Sequence, residues 1–352
     1  MITIPVKTSR HYDILVGSGL LPQLGFYVRQ LFPNAEKATI ITDTNVEKLY
    51  LTPAEDTLSA AAFNVSSYAF ATGEASKNGE TYLTSLSHLA SVQMTRSDVV
   101  IALGGGVVGD MAGFAAATYL RGVSFVQVPT TLLAMVDSSV GGKTGIDLPA
   151  GKNLAGAFYQ PWLVLCDTDT LHTLPEEVFA GGMAEVIKYG MLGNAQLLAD
   201  LRSPINDILQ STIATCAAMK RDIVQTDEFD TGNRMLLNLG HTIGHAIERL
   251  SGYAISHGRA VAIGMAMITR AAIAKNLCPP EALHILEDLL ARYNLPATTT
   301  YPAGDIFEAS LQDKKRAGAH ITEVIPTKPG KCELKKMPVE ELLSWIEMGI
   351  RQ

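Results

Sequence analysis

A chain of 352 residues with 47% hydrophobic and 18% charged side chains is long enough for two packed cores and has a globular composition. Its net charge of −7 argues against a nucleic-acid or anionic-membrane partner, so any anion site must be a local basic pocket. Cys166, Cys216, Cys278 and Cys332 form no CxxC pair, which favours reduced thiols in the cytoplasm over disulfides or a cysteine zinc site.

The opening MITIPVKTSRHYDILVG alternates like a strand and lacks the basic and apolar regions of a signal peptide. Then come β-rich runs with helical stretches between them: Lys37 to Asp43, Asn64 to Phe70, Asp98 to Gly106, Ser124 to Thr130 and Trp162 to Asp167. This alternation predicts a largely parallel sheet with ligands at the carboxyl ends of its strands, an α/β Rossmann-like nucleotide-binding domain over residues 1–173. No apolar run approaches the roughly 20 residues of a membrane span.

From 174 to 352 the chain becomes alanine-, leucine- and methionine-rich with helical spacing, and an all-α second domain is expected. AEVIKYGML, IATCAAMKRDIV, RMLLNLGHTIGHAIERL, AVAIGMAMITRAAIA and EALHILEDLLARY each read as a helix. Near the end, AHITEVIPT and KCELKKM suggest a small hairpin across Lys328-Pro329-Gly330.

The stretch Gly104 to Asn153 carries the densest chemistry. Gly104, Gly106 and Gly109 fit G-x-G-x-x-G between a strand and a helix, where backbone N–H groups can approach a pyrophosphate. A tight strand-to-helix turn would by itself explain these glycines; Asp110 and the hydroxyls of Thr130 and Thr131 favour a ligand. The acid expected about 20 residues on is missing. Asp43, ending an earlier strand, could replace it under a different strand order. GGKT (Gly141 to Thr144) is no P-loop, because G-x-x-x-x-G-K-[ST] requires glycine where Asp137 stands. Lys143 and Lys152 remain candidate anion contacts.

His241 and His245 lie one turn apart in NLGHTIGHAIE, a plausible pair of metal ligands on one helix face. His257 in SHGRAVAIGM and Glu185 in GGMAEVIKYG are further candidates. One carboxylate with imidazoles suits Zn²⁺ with a position open to substrate, and periodicity leaves open which histidines coordinate.

GGGVVGD, YLRGVSFVQVPTTLLAMVDSSVGGKTGIDLPAGKNLAGAFYQP, GMAEVIKYG, NLGHTIGHAIE and SHGRAVAIGM occur in the order and spacing of one family. The chain resembles the 3-dehydroquinate synthases, sugar-phosphate cyclases of the shikimate pathway. The resemblance implies a homodimeric lyase that converts 3-deoxy-D-arabino-heptulosonate 7-phosphate to 3-dehydroquinate and phosphate, using NAD and Zn²⁺ or Co²⁺. Oxidation by NAD is transient, followed by phosphate elimination, reduction, ring opening and aldol closure.

Carried over by position, Glu185, His241 and His257 become the metal ligands and His245 a proton-transfer group. Asp43, Glu74, Lys77, Gly106, Val107, Val108, Gly109, Asp110, Thr130, Thr131, Lys143, Lys152, Thr170, Leu171, His172 and Thr173 would line NAD. Arg121, Asp137, Lys152, Asn153, Lys188, Lys220, Arg234, Asn238 and Lys314 or its neighbour Lys315 would meet the substrate, with Arg121 reaching the partner subunit's site. The competing readings are another sugar-phosphate cyclase and a metal-dependent polyol dehydrogenase of the glycerol dehydrogenase type.

Overall fold

The β-rich runs of the first half pair into one seven-stranded sheet in the computed structural model, which describes residues 1–312 and 319–350. The elements in order are β1 (Ile2–Lys7), β2 (His11–Gly17), α1 (Leu24–Leu31), β3 (Lys37–Asp43), α2 (Thr44–Val46), α3 (Thr52–Ala60) and β4 (Asn64–Phe70). They continue with α4 (Gly79–Ser91), β5 (Val99–Gly104), α5 (Gly106–Thr118), β6 (Ser124–Pro129), β7 (Lys143–Leu148), β8 (Gly151–Phe158) and β9 (Leu163–Asp167). The sheet order is β1-β2-β9-β6-β5-β3-β4, parallel except for β1, which pairs antiparallel with β2. The opening segment is therefore two strands, not one.

β5 is buried along its whole length, as a strand covered on both faces must be. Its residues alternate between two cores. Val99, Ile101 and Leu103 join Leu24, Val28, Ala54 and Leu58 of α1 and α3, while Val100 and Ala102 join Met111, Ala112 and Ala115 of α5.

β7 and β8 form a separate antiparallel hairpin inside the glycine-rich stretch. Gly145 opposes Gly156, and a Cβ on Gly145 would meet Ala155 O at 2.6 Å. Paired glycines have low strand propensity, so the sequence gives no strand signal here.

The second half supplies α6 (Glu176–Gly193), α7 (Ala195–Asp200), α8 (Ile205–Thr226), α9 (His241–Leu250), α10 (His257–Ala274), α11 (Pro280–Arg292) and α12 (Ala303–Gln312). The antiparallel hairpin β10 (His320–Lys328) and β11 (Lys331–Pro338) and then α13 (Val339–Ile350) complete it. Its turn contains Pro329 and Gly330, the latter at φ +73°.

Two compact units result: Met1–Leu174 with Ile213–Phe229, and Pro175–Thr212 with the chain from Asp230 onward. The sequence places Ile213–Phe229 with the helical half. Side chains there bind the first unit instead: Gln225 Oε1 accepts from Lys7 N at 2.7 Å, and Glu228 accepts from Ser9 N at 2.8 Å and Gln160 Nε2 at 2.9 Å.

The segment RMLLNLGHTIGHAIERL is also not one helix. A 3₁₀ turn, Asn233–Asn238, precedes α9, and Gly240 breaks the run at φ +75°. A Cβ on Gly240 would lie 2.6 Å from Met265 N, so both conformation and space demand glycine. The break makes His241 the first residue of α9.

All four cysteines are free thiols. Among the described residues no helix is long and apolar enough to cross a membrane.

Candidate active site

In the first unit, adjacent strands β3 and β5 send their connections in opposite directions, to β4 and β6. Such a divergence opens a crevice at the carboxyl ends of the two strands. Asp43 ends β3 and Gly104 ends β5, so the crevice separates the acid from the glycine turn singled out in the sequence. The standard doubly wound order places the first parallel strand centrally; here β2 lies toward the far edge, beyond β9.

Gly105 caps α5, whose first turn runs Gly106, Val107, Val108 and Gly109 to Asp110. The glycines pack as well as bind: a Cβ on Gly104 would strike Val108 at 2.6 Å, and one on Gly109 would meet Gln127 Oε1 at 2.7 Å. Thr130 N donates to Gly104 O at 3.0 Å, and Thr131 Oγ1 accepts from Ala134 N at 3.2 Å. Asp43 Oδ1 accepts from Asn45 N and Val46 N, so the acid also caps the turn after β3.

Thr170, Leu171, His172 and Thr173 form a 3₁₀ turn after β9, held by Tyr50 Oη on Thr170 O at 3.0 Å. Val108 and Leu171 are buried, and Leu171 O accepts from Leu174 N at 3.2 Å. Lys143 is exposed at the start of β7.

Lys77 is nearly buried, and its Nζ donates to Asp110 Oδ2 and Asn153 Oδ1, both at 2.6 Å. Burial opposes charge on Lys77, but the Asp110 carboxylate outweighs it and holds the ammonium above its ordinary range. Lys152 Nζ stands 3.7 Å from Glu74 Oε1. Lys220 Nζ donates to Asp137 O at 2.7 Å and forms an ion pair with the Asp137 carboxylate. Arg121 stands apart from these contacts, exposed on a turn at φ +67°.

In the second unit, α6 carries Glu185 and Lys188, both fully buried and ion-paired. Glu185 Oε1 lies 3.3 Å from His257 Nε2 and 3.7 Å from His241 Nε2. Donors about 2.1 Å from a tetrahedral ion are about 3.4 Å apart, so this spacing fits Zn²⁺. The outer ring nitrogens are also engaged. His241 Nδ1 faces Leu239 O and His257 Nδ1 faces Glu248 Oε2, each at 3.1 Å. With Nδ1 donating and Nε2 deprotonated, each ring would present an Nε2 lone pair beside the Glu185 carboxylate, as a metal site needs.

Burial, with the Lys188 charge, pushes His241 down to about 3 and keeps it neutral. His257 is pushed up to about 9, because the Glu185 and Glu248 carboxylates outweigh its burial. Without a metal, a proton on His257 sits between two acids; a cation bound by Glu185 would take its place.

His245 completes the imidazole group, its ring 5.4 Å from His241 and 5.7 Å from His257. A second possible donor group, His245, Glu248 and His257, uses the His257 nitrogen already facing Glu248. Asn238, His241 and His245 line a cavity of about 540 Å³ whose far wall includes His320, Thr322 and Lys336 of the hairpin. Arg234 is buried on the 3₁₀ turn before α9. Lys314 and Lys315 lie outside the described residues.

Among the described residues, Glu248 is a group at this centre that the sequence reading does not single out. Its position three residues beyond His245, on the same face of α9 and buried there, is the signal that marks it.

The fold is that of the sugar-phosphate cyclases. 2-Deoxy-scyllo-inosose synthase, solved with carbaglucose-6-phosphate, NAD⁺ and Co²⁺, matches with a TM-score of 0.85 at 25% identity, over 98% of this chain and 99% of that one. 2-Epi-5-epi-valiolone synthase from Streptomyces hygroscopicus, with NAD⁺ and Zn²⁺ bound, matches with a TM-score of 0.85 at 22% identity, over 98% of each chain. Family models for the N-terminal and C-terminal parts of 3-dehydroquinate synthase match residues 67–181 and 182–316. A 3-dehydroquinate synthase from Enterococcus faecalis is 42% identical over 98% of this chain and 97% of its own. The chain belongs to the 3-dehydroquinate synthase family.

Proposed function

We infer that this chain is an enzyme converting 3-deoxy-D-arabino-heptulosonate 7-phosphate to 3-dehydroquinate and phosphate, working in the cytoplasm as a homodimer. The observation that carries the reading is full-length similarity at 42% identity to a 3-dehydroquinate synthase, against 25% for a cyclase of other specificity. Glu185, His241 and His257 would hold Zn²⁺ or Co²⁺, supported by their convergence and by the outer partners Leu239 O and Glu248. The crevice between Asp43 and the glycine turn would take NAD, with Glu74, Lys77, Thr130, Thr131, Lys143, Lys152 and the Thr170 to Thr173 turn around it.

When bound, NAD and the metal supply reversible hydride exchange and Lewis acidity toward a ring hydroxyl. The chain's own groups then decide which bonds break. An imidazole nitrogen of His245 moves a proton between substrate oxygens and solvent. Lys188 balances the charge of Glu185 in a dry setting, where an unpaired carboxylate would cost several kcal/mol. Arg121, Asp137, Lys152, Asn153, Lys220, Arg234, Asn238 and Lys314 would divide the phosphate, hydroxyls and carboxylate among them. Cationic donors there favour departure of phosphate by stabilising its developing charge.

The test is phosphate release from the heptulosonate phosphate with catalytic NAD⁺. The expected result is stoichiometric phosphate and 3-dehydroquinate with no lasting rise in NADH. Accumulating NADH without phosphate would replace this reading with the polyol dehydrogenase. Turnover of glucose 6-phosphate alone would replace it with an inosose-forming cyclase.

A further inference from the structure

A closed ring of hydrogen bonds joins Lys77 to the β7–β8 hairpin. Asp147 N donates to Lys77 O at 2.8 Å, Asn153 N donates to Asp147 Oδ1 at 2.7 Å, and Lys77 Nζ donates to Asn153 Oδ1 at 2.6 Å. The same ammonium donates to Asp110 Oδ2 in the first turn of α5. Asn153 itself is exposed and holds φ +55°, a left-handed conformation that asparagine tolerates better than most residues.

An ammonium has only donors, so the Asn153 amide must turn its oxygen toward Lys77. Its NH₂ is then the end offered elsewhere. We propose that Lys77 is a positioning residue for the sugar phosphate: it fixes Asn153 as a hydrogen-bond donor toward an oxygen of the substrate and ties that donor to Asp110 on the nucleotide helix. Lys77 thus serves the substrate through Asn153, in addition to any contact of its own with NAD.

The inference rests on the reading above that Asn153 meets substrate and Asp110 the nucleotide. Phosphate release by the wild-type holoenzyme tests that reading separately. The positioning role is tested by a double-mutant cycle on Lys77→Met and Asn153→Ala, measuring KM for the heptulosonate phosphate at saturating NAD⁺. NAD⁺ affinity is measured in parallel by fluorescence on the same proteins.

Lys77→Met is expected to raise KM roughly tenfold in the wild-type background, as loss of one well-placed hydrogen bond does, and by less than about twofold when Asn153 is already alanine. Lys77→Arg, which keeps a multiple donor, is expected to recover most of the loss. The side-chain NH₂ resonance of Asn153, identified by its disappearance in Asn153→Ala, should shift in Lys77→Met. If Lys77→Met does not fold, Lys77→Gln completes the same cycle. Equal losses in both backgrounds, or weaker NAD⁺ binding with an unchanged KM for the sugar phosphate, would overturn the proposal.

Discussion

His257 Nδ1 lies 3.1 Å from Glu248 Oε2, with the opposite nitrogen of the ring turned to Glu185. In the proposed metal site the second carboxylate would hold the proton on Nδ1 of His257 and leave Nε2 to coordinate. Glu248→Gln keeps the shape and can still accept a hydrogen bond, but loses the charge. Zinc affinity, measured by competition with a chelator, is expected to fall about tenfold for Glu248→Gln and up to about a hundredfold for Glu248→Ala.

His245 lies beside the proposed ligands, and in the proposed assignment it is not one of them. Chelation should abolish phosphate release, and Zn²⁺ or Co²⁺ should restore it. His257→Ala should purify with little metal. His245→Ala should retain the metal while kcat falls by about 10²–10⁴, the range of a lost general acid or base. Metal analysis showing equal loss in both variants would make His245 a ligand.

Asp98 anchors the entry to β5 and the start of β3. Its carboxylate accepts from Thr95 N at 2.7 Å, Thr95 Oγ1 at 2.8 Å, Lys37 N at 2.8 Å and Glu36 N at 3.2 Å. Burial by itself would raise its pKa, but these donors outweigh burial and hold the carboxyl below its ordinary range. A depressed folded value contributes stability above about pH 4 that is lost as pH falls through that value. Asp98→Asn should therefore be less stable than wild type by about 1–3 kcal/mol at pH 7, with the gap closing in acid. Urea unfolding at pH 7 and pH 3 measures both; a gap independent of pH would contradict the ionised-acceptor account.

Gly240 allows α9 to begin where it does. Gly240→Ala must adopt φ +75° and place its Cβ 2.6 Å from Met265 N. A loss of about 2 kcal/mol or more is expected from the denaturant midpoint, because left-handed strain and overpacking add. His241 is the next residue, so metal affinity should fall with it.

Local pattern alone made much of this protein legible. The runs Lys37 to Asp43 and Asn64 to Phe70 are strands with those same bounds, and the hairpin across Pro329-Gly330 is present. Buried parallel strands are continuous apolar runs bounded by turn residues, so one-dimensional reading finds them. The proposed ligand set Glu185, His241 and His257 comes from motif resemblance, since helix spacing favours the pair His241 and His245; the structure brings the three side chains together.

Tertiary structure decided what depends on distant partners. It set β3 beside β5 with their connections leaving in opposite directions, so the crevice falls between Asp43 and Gly104. It drew Ile213–Phe229 to the first unit through hydrogen bonds such as Lys7 N to Gln225 Oε1, between residues 218 positions apart. It turned Glu248 onto His257 and Lys77 onto Asn153. Composition, periodicity and spacing fix which residues share a face of one element; which atoms of two elements meet, and with which proton between them, is set by packing and by the need to satisfy buried charge.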